Sequence, residues 1–426
     1  MKVLILTYYW PPAGGSGVQR WLKFVKYLQG FGIEPVIYTV KNPNYPILDD
    51  SLENDVPKNI KVLKTPIFEP NDFFTIFKKK ETKTSAGFLE SNPSFVGKVL
   101  QYIRANYFIP DARKFWIKPS VKFLKEYLKN NPIDAIITTG PPHSLHLIGL
   151  KLKKELNLKW IADFRDPWTD IDYFHHLPLT EKAKKKHCKL EEEVLYNADA
   201  VLVVGKTMKD NFQPFSKNIH VITNGYDTKN NNESEVVLDD KFSITHIGLM
   251  NADRNPIVLW QAITEISQEN NEFAEDLEIK LVGSIAKEVQ EQINKLAIKN
   301  ITQIPYVSHQ KVQEFQKKSQ VLLLAVNKVP SAKGIITGKI FEYLQAKRPI
   351  LAIGPENGDL ADILQKTNSG VIVDFNNKEK LKQVLLRFYE DYKNEKLNVL
   401  SKNIEQYHRK NLTEQLSTIL KQTINS

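Results

Sequence analysis

The chain has 426 residues, enough for two or three domains, and its 42% hydrophobic content supplies more than one core. Lys and Arg outnumber Asp and Glu by 59 to 49, a net charge of +10 that favours anionic partners such as nucleic acid, anionic lipid or a phosphorylated substrate. The single cysteine, Cys188, excludes an internal disulfide framework and a thiolate metal cluster. The apolar start Met1 to Leu6 is too short for a signal-peptide core, and no run reaches the roughly 18 apolar residues of a membrane span. The expectation is a cytoplasmic protein, peripheral at most to the inner membrane face.

In chain order, "KVLIL", "IEPVIYTV", "IDAIITT", "KWIADF" and "ADAVLVVG" read as short buried strands separated by amphipathic segments. Val18, Trp21, Leu22, Val25 and Leu28 share one face of the first such segment. Strands alternating with helices predict a parallel sheet covered on both sides. The pattern restarts after residue 241 with "FSITHIG", "LEIKLVG", "NITQI", "SQVLLLAV", "RPILAIG" and "GVIVDF". The predicted layout is a first α/β domain over 1–225, a polar linker over 226–240 following the turn signal Asn224-Gly225, a second α/β domain over 241–401, and a last helix over 402–426 that crosses back to the first domain. The segment from Phe68 to Lys129 stands apart, with twelve basic and thirteen aromatic residues and no clear strand. Two readings stay open for it: a surface seated on lipid, or a helical insertion with core aromatics and solvated lysines.

Two glycine-rich stretches carry the chemistry. "YYWPPAGGSGVQR" puts Gly15, Ser16 and Gly17 between a strand and a helix, where bare backbone and the helix dipole suit an anion. A dinucleotide fingerprint needs a small residue where Arg20 stands, and Ala200 replaces the glycine that a nucleoside-triphosphatase loop ending at Gly205-Lys206-Thr207 requires. In "PSAKGIITGKIFEYLQAKRPILAIG", Thr337 reads as a helix N-cap, Gly338 lets a ligand approach the backbone, and Lys339 adds a full charge at the helix start. Glu342, one turn on, is placed to accept two ribose hydroxyls. On the first domain, "TTGPPHSLHLIG" and "ADFRDPWTD" end strands and offer His143, Asp163 and Asp166 to orient or deprotonate a hydroxyl. The triplet Asp170-Ile171-Asp172 and the pairs His143/His146 and His175/His176 gather no third metal ligand, and no metal site is expected.

The motifs "YYWPPAGGSGVQR", "ITNGYD", "HIGLMNADRNP" and "GKIFEYLQAKRPILAIG", in that order and over roughly residues 1–400, resemble the family 4 (group 1) retaining glycosyltransferases. The resemblance implies the GT-B fold, two Rossmann-like parallel-sheet domains facing across a cleft, and transfer of a sugar from a nucleotide-diphosphate sugar to a saccharide or lipid-linked acceptor hydroxyl. It implies surface-polysaccharide or lipid-linked oligosaccharide synthesis, with no cofactor and no metal. Glu342 matches the later glutamate of the family's paired-glutamate motif, on the donor ribose; the earlier one falls at Gly334 and is absent. Arg254 and Lys339 are the implied cations on the leaving diphosphate. Gly15, Ser16 and Gly17 would approach the diphosphate or sugar from the other domain, and Tyr306 matches a position beside the nucleobase. Asp166 looks like the aspartate of an Asp-Leu-Trp-Pro type motif. A sugar-nucleotide epimerase of the same architecture and a non-catalytic basic nucleic-acid binder are the alternatives, though no recognisable nucleic-acid module is present.

Overall fold

The computed structural model describes residues 1–69, 95–171, 174–227, 236–296 and 298–426. They divide into one unit of Met1–Asp227 with Arg409–Ser426, and a second of Thr228–His408.

The first unit holds seven strands: β1 (Lys2–Leu6), β2 (Glu34–Val40), β3 (Lys61–Thr65), β4 (Ala135–Gly140), β5 (Lys159–Phe164), β6 (Ala200–Val203) and β7 (Ile219–Val221). They form one sheet in the order β3-β2-β1-β4-β5-β6-β7, every pair parallel. Successive residues of a strand point to opposite faces, so Leu4, Leu6 and Ile136 enter one core while Val3, Ile5, Ala135 and Ile137 enter another. Both faces being covered explains the unbroken apolar strand sequences. The helix Ser16–Leu28 buries Val18, Trp21, Leu22, Val25 and Leu28 in the second core, and the terminal helix Arg409–Asn425 joins it there through Leu412, Leu416 and Leu420.

Arg20, the residue that breaks the dinucleotide fingerprint, is 1% exposed and donates to Asp163 on β5 at 2.8–3.2 Å and to the Thr223 carbonyl at 3.0 Å. A long side chain stands where a small one would be needed because it ties the first helix to the sheet. Asp227, closing the "NGYD" stretch, accepts from Tyr27 at 2.5 Å, Lys26 at 2.9 Å and Lys23 at 3.0 Å.

Within Phe68–Lys129 the described residues form the helices Phe95–Tyr107 and Ile117–Asn130 and the short turn Lys114–Trp116; residues 70–94 of that stretch lie outside the described residues. Trp116 is core, stacked on Tyr38 at 5.2 Å, whereas Phe95, Tyr102 and Tyr107 are exposed. Lys118, Lys122, Lys125, Lys129 and Lys151 surround a hollow of about 400 Å³ between Ile117–Asn130 and Ser144–Leu156.

The second unit has six strands: β8 (Phe242–Ile247), β9 (Leu277–Val282), β10 (Ile301–Ile304), β11 (Val321–Ala325), β12 (Ile350–Ile353) and β13 (Gly370–Val373). Their order is β10-β9-β8-β11-β12-β13, again wholly parallel. In each sheet the strand order reverses beside the first strand, between β1 and β4 and between β8 and β11. Loops leaving the carboxyl ends at such a reversal diverge to opposite faces and leave a crevice for a ligand. Among the described residues no helix is long and apolar enough to cross a membrane.

Candidate active site

The reversal point of the second sheet gathers most of the predicted donor residues. The chain leaves β8 through Gly248 at φ +107° and runs through the short turn Ala252–Arg254. Gly248 needs its glycine twice over: the backbone lies in the left-handed region, and a Cβ there would meet the Lys339 Cε and Nζ at 2.8 Å. Arg254 donates from Nε to Asn327 just beyond β11 at 3.0 Å and from Nη1 to the Leu249 carbonyl at 3.0 Å, fixing its guanidinium across the reversal point. The Lys328 N–H donates to the Asp253 carbonyl at 2.7 Å and closes the two loops on each other.

Beyond β11, the chain passes through Ala332–Gly334 into the helix Lys339–Ala346. Gly338 already has helical angles (φ −58°, ψ −24°), and no side chain, that of Thr337 included, caps the helix. Thr337 Oγ1 is buried and meets no hydrogen-bond partner. A Cβ on Gly338 would have nothing within 4 Å, so the space before the helix end is open. The Ile340 and Phe341 N–H groups close on the Thr337 and Gly338 carbonyls at 3.2 and 3.3 Å, and the positive end of the helix dipole faces that space.

Lys339 Nζ stands 3.4 Å from His246 Nε2. Burial first, and then the Arg254 charge, pull the Lys339 ammonium down to about 7, with Glu342 acting in the other direction. Glu342, exposed in the first turn, accepts from Gln316 Nε2 at 3.1 Å. Tyr306, just past the edge strand β10, is 90% exposed and is not packed in its turn. Arg254, Thr337, Gly338, Lys339 and Glu342 thus lie around one end of one sheet.

In the first unit, Gly15 (φ +81°) precedes the helix Ser16–Leu28, no side chain caps that helix, and Gly15 and Ser16 are exposed. Gly17 lies against Arg165, whose Nη1 donates to the Gly17 carbonyl at 2.6 Å while Nη2 donates to the Pro141 carbonyl and Nε to the Gly140 carbonyl. Arg165 thereby ties together the chain ends leaving β1, β4 and β5. The ion-pair partner of Asp163 is Arg20.

Asp163 is corrected from catalytic candidate to anchor. Its carboxylate is 0% exposed and also accepts from Trp21 Nε1 at 2.7 Å and Thr139 Oγ1 at 2.8 Å, leaving no oxygen for an acceptor. Burial raises its pKa, but the charge and hydrogen bonds of Arg20, with those of Trp21 and Thr139, outweigh it and hold the carboxyl below its usual range.

His143 is buried beneath Trp168, the rings parallel within 7° at 4.8 Å, and its Nδ1 has no partner. Burial, reinforced by His146, Arg165 and His187, holds its pKa well below the ordinary histidine value, so the ring is neutral. His146 shares Nδ1 with Thr138 Oγ1 at 2.9 Å and stacks on Phe164 at 4.4 Å. Trp168 in turn donates to His187 Nδ1 at 3.0 Å, and Glu191 accepts from the Trp168 N–H at 2.9 Å, clamping the loop after β5. Asp166 and Asp170 are exposed carboxylates of that loop. Asp172 of the Asp170-Ile171-Asp172 triplet and the His175 side chain lie outside the described residues.

His246 is the site residue the sequence reading missed. Its signal is a histidine on the strand face otherwise held by Phe242 and Ile244, two positions before the glycine that turns the chain.

Two Rossmann-like parallel sheets define the GT-B fold. Over its whole length the chain resembles sucrose-phosphate synthase from Thermosynechococcus elongatus (14% identity, 100% of this chain and 99% of that one, TM-score 0.62). It likewise resembles S. aureus TarM in complex with fondaparinux, α-GlcNAc-glycerol and UDP (12%, 100% and 100%, 0.60) and Anabaena HepE in complex with UDP-glucose (13%, 100% and 98%, 0.57). At these identities the likeness speaks for the fold. Comparison with curated protein sequences gives no significant match. Residues 82–230 match the family described as Glycosyltransferase Family 4, and residues 241–391 match Glycosyl transferases group 1. The chain belongs to the family 4/group 1 glycosyltransferases.

Proposed function

We propose that the chain transfers a sugar, with retention and without a metal ion, from a nucleotide-diphosphate sugar to an acceptor hydroxyl, in surface-polysaccharide or lipid-linked oligosaccharide synthesis. One observation carries this reading: Arg254 and Lys339 converge on the open start of the helix Lys339–Ala346 at the reversal point of the second sheet. Two fixed cations and a helix dipole stabilise the negative charge that grows on a departing diphosphate. Glu342 takes the ribose hydroxyls and Tyr306 lies by the base. UDP is the favoured leaving group, since HepE and TarM were solved with UDP-glucose and UDP. Gly15, Ser16 and Gly17 offer backbone N–H groups to the donor, and the exposed Asp166 orients the acceptor hydroxyl.

Glu155 and Glu126 pair with Lys125 and Lys129 at the 400 Å³ hollow, and the remaining Lys118, Lys122 and Lys151 support peripheral seating on the anionic inner membrane face, where a lipid-linked acceptor would be met. Thermal-shift screening against UDP-, GDP- and ADP-sugars, followed by analysis of the transferred product and its anomeric configuration, tests the reaction. A stabilising donor and a product of retained configuration are expected. Conversion of the donor without any acceptor would point to an epimerase instead.

A further inference from the structure

The ammonium of Lys339 is drawn inward over the end of β8 instead of reaching into solvent. It lies against Gly248, where a Cβ would stand 2.8 Å from its Cε and Nζ, and 3.4 Å from His246 Nε2. The charged and titratable groups facing it are His246 from β8, Arg254 from the turn after β8, and Glu342 one turn along its own helix. Among the described residues no carboxylate forms an ion pair with Lys339, Glu342 acting only at a distance. A half-buried cation beside another cation is costly without a counter-charge, and the open space before Gly338 is where one can arrive.

His246 is 1% exposed, and burial followed by the charges of Lys339 and Arg254 keeps its ring neutral. The Lys339 ammonium can only donate, so in that form the neutral ring accepts at Nε2 and carries its proton on Nδ1.

Resting on the donor reading above, we infer that donor binding is coupled to uptake of one proton by Lys339, with His246 as the positioning residue that aims the resulting ammonium at the pyrophosphate. The amine draws its proton from the solvent, one N–H bond forms, and no bond of the donor breaks in this step. Below neutral pH the free protein already carries the proton and nothing is taken up. Above it, the pyrophosphate must recruit the proton, and affinity falls as pH rises.

Isothermal titration with UDP-glucose isolates the effect, because its diester pyrophosphate has no group that titrates between about pH 6 and 9. Titrations in two buffers of different ionisation enthalpy give the protons taken up. With free Lys339 at about 7, uptake of about half a proton at pH 7 and nearly one at about pH 8.5 is expected, with affinity about tenfold weaker at pH 8 than at pH 6. Lys339→Arg, charged throughout, should bind with no proton uptake and a flat profile. His246→Leu removes the acceptor and should shift the midpoint of the affinity profile to lower pH. A merely structural His246 would lower the melting temperature and leave the midpoint in place. UDP-glucose binding with equal heats in both buffers and constant affinity from pH 6 to 9 would overturn proton coupling while leaving the donor site intact. Failure of UDP-, GDP- and ADP-glucose alike to bind would remove the donor reading and this inference together.

Discussion

Asp163→Asn separates an anchor from a catalytic group on the first unit. One oxygen of Asp163 accepts from Arg20, and the other accepts from Trp21 Nε1 at 2.7 Å and Thr139 Oγ1 at 2.8 Å, all at 0% exposure of the carboxylate. Asparagine keeps the shape but loses the charge, and its NH2 group meets two donors if its oxygen stays on Arg20. Removing one partner of a buried ion pair costs about 3–5 kcal/mol, and Arg409, whose charge is felt by Arg20, adds like-charge repulsion. For a unit of this size about 2–4 °C of melting temperature goes with each kcal/mol, so the transition of the first unit should fall by roughly 6–20 °C. Differential scanning calorimetry reads that transition, and donor affinity of the folded variant is measured in parallel below it. Asp166→Asn, on the exposed carboxylate, should stay within about 0.5 kcal/mol of the parent and lose turnover instead. An Asp163→Asn protein as stable as the parent but inactive would refute the anchor assignment.

On the proposed donor reading Glu342→Ala removes two charge-assisted hydrogen bonds to ribose, each worth about 1.5–3 kcal/mol, and titration calorimetry should show nucleotide affinity at least about tenfold weaker at unchanged melting temperature. Gly338→Ala should fold as well as the parent or slightly better, since nothing lies within 4 Å of its Cβ, yet weaken UDP-glucose binding by filling the approach to the helix end. Gly248→Ala should lose both stability and donor affinity, because φ +107° is strained for alanine and its methyl displaces the Lys339 ammonium. Burial raises the Asp227 pKa, but Tyr27, Lys26 and Lys23 outweigh it and bring it down to about 2. Its stabilisation is present above its unfolded value of 3.8 and is lost as pH falls towards 2, so Asp227→Asn should flatten the acid limb of the melting profile. Sedimentation with anionic and with neutral liposomes should bring the protein down with the anionic vesicles alone; equal recovery in both supernatants would contradict membrane seating.

Eleven of the thirteen strands were legible from their apolar runs because both faces of each sheet are covered. The two that were not are edges: β3, "KVLKT", carries lysines on a half-exposed ribbon, and β7 is three residues long. The helix face of Val18 to Leu28 and the glycine turn before it followed directly from spacing. Arg20 could be seen to break the dinucleotide pattern, but its partner Asp163 lies 143 residues away, and only the sheet brings the two together. For the same reason Asp163 passed for a loop acid when it is the last turn inward of a strand. Lys339 was visible at a helix start; that it bends back over Gly248 onto His246 depends on the parallel neighbours β8 and β11. Thr337 was named the cap because threonine favours that position, whereas its Oγ1 makes no bond to the helix N–H groups.

A crystal structure with bound UDP-glucose tests the donor site most directly. It should show the pyrophosphate at the N-terminal end of Lys339–Ala346, in contact with Lys339 and Arg254, and the ribose on Glu342. A pyrophosphate bound away from that helix end, with Lys339 still turned onto His246 and touching no phosphate oxygen, would contradict it.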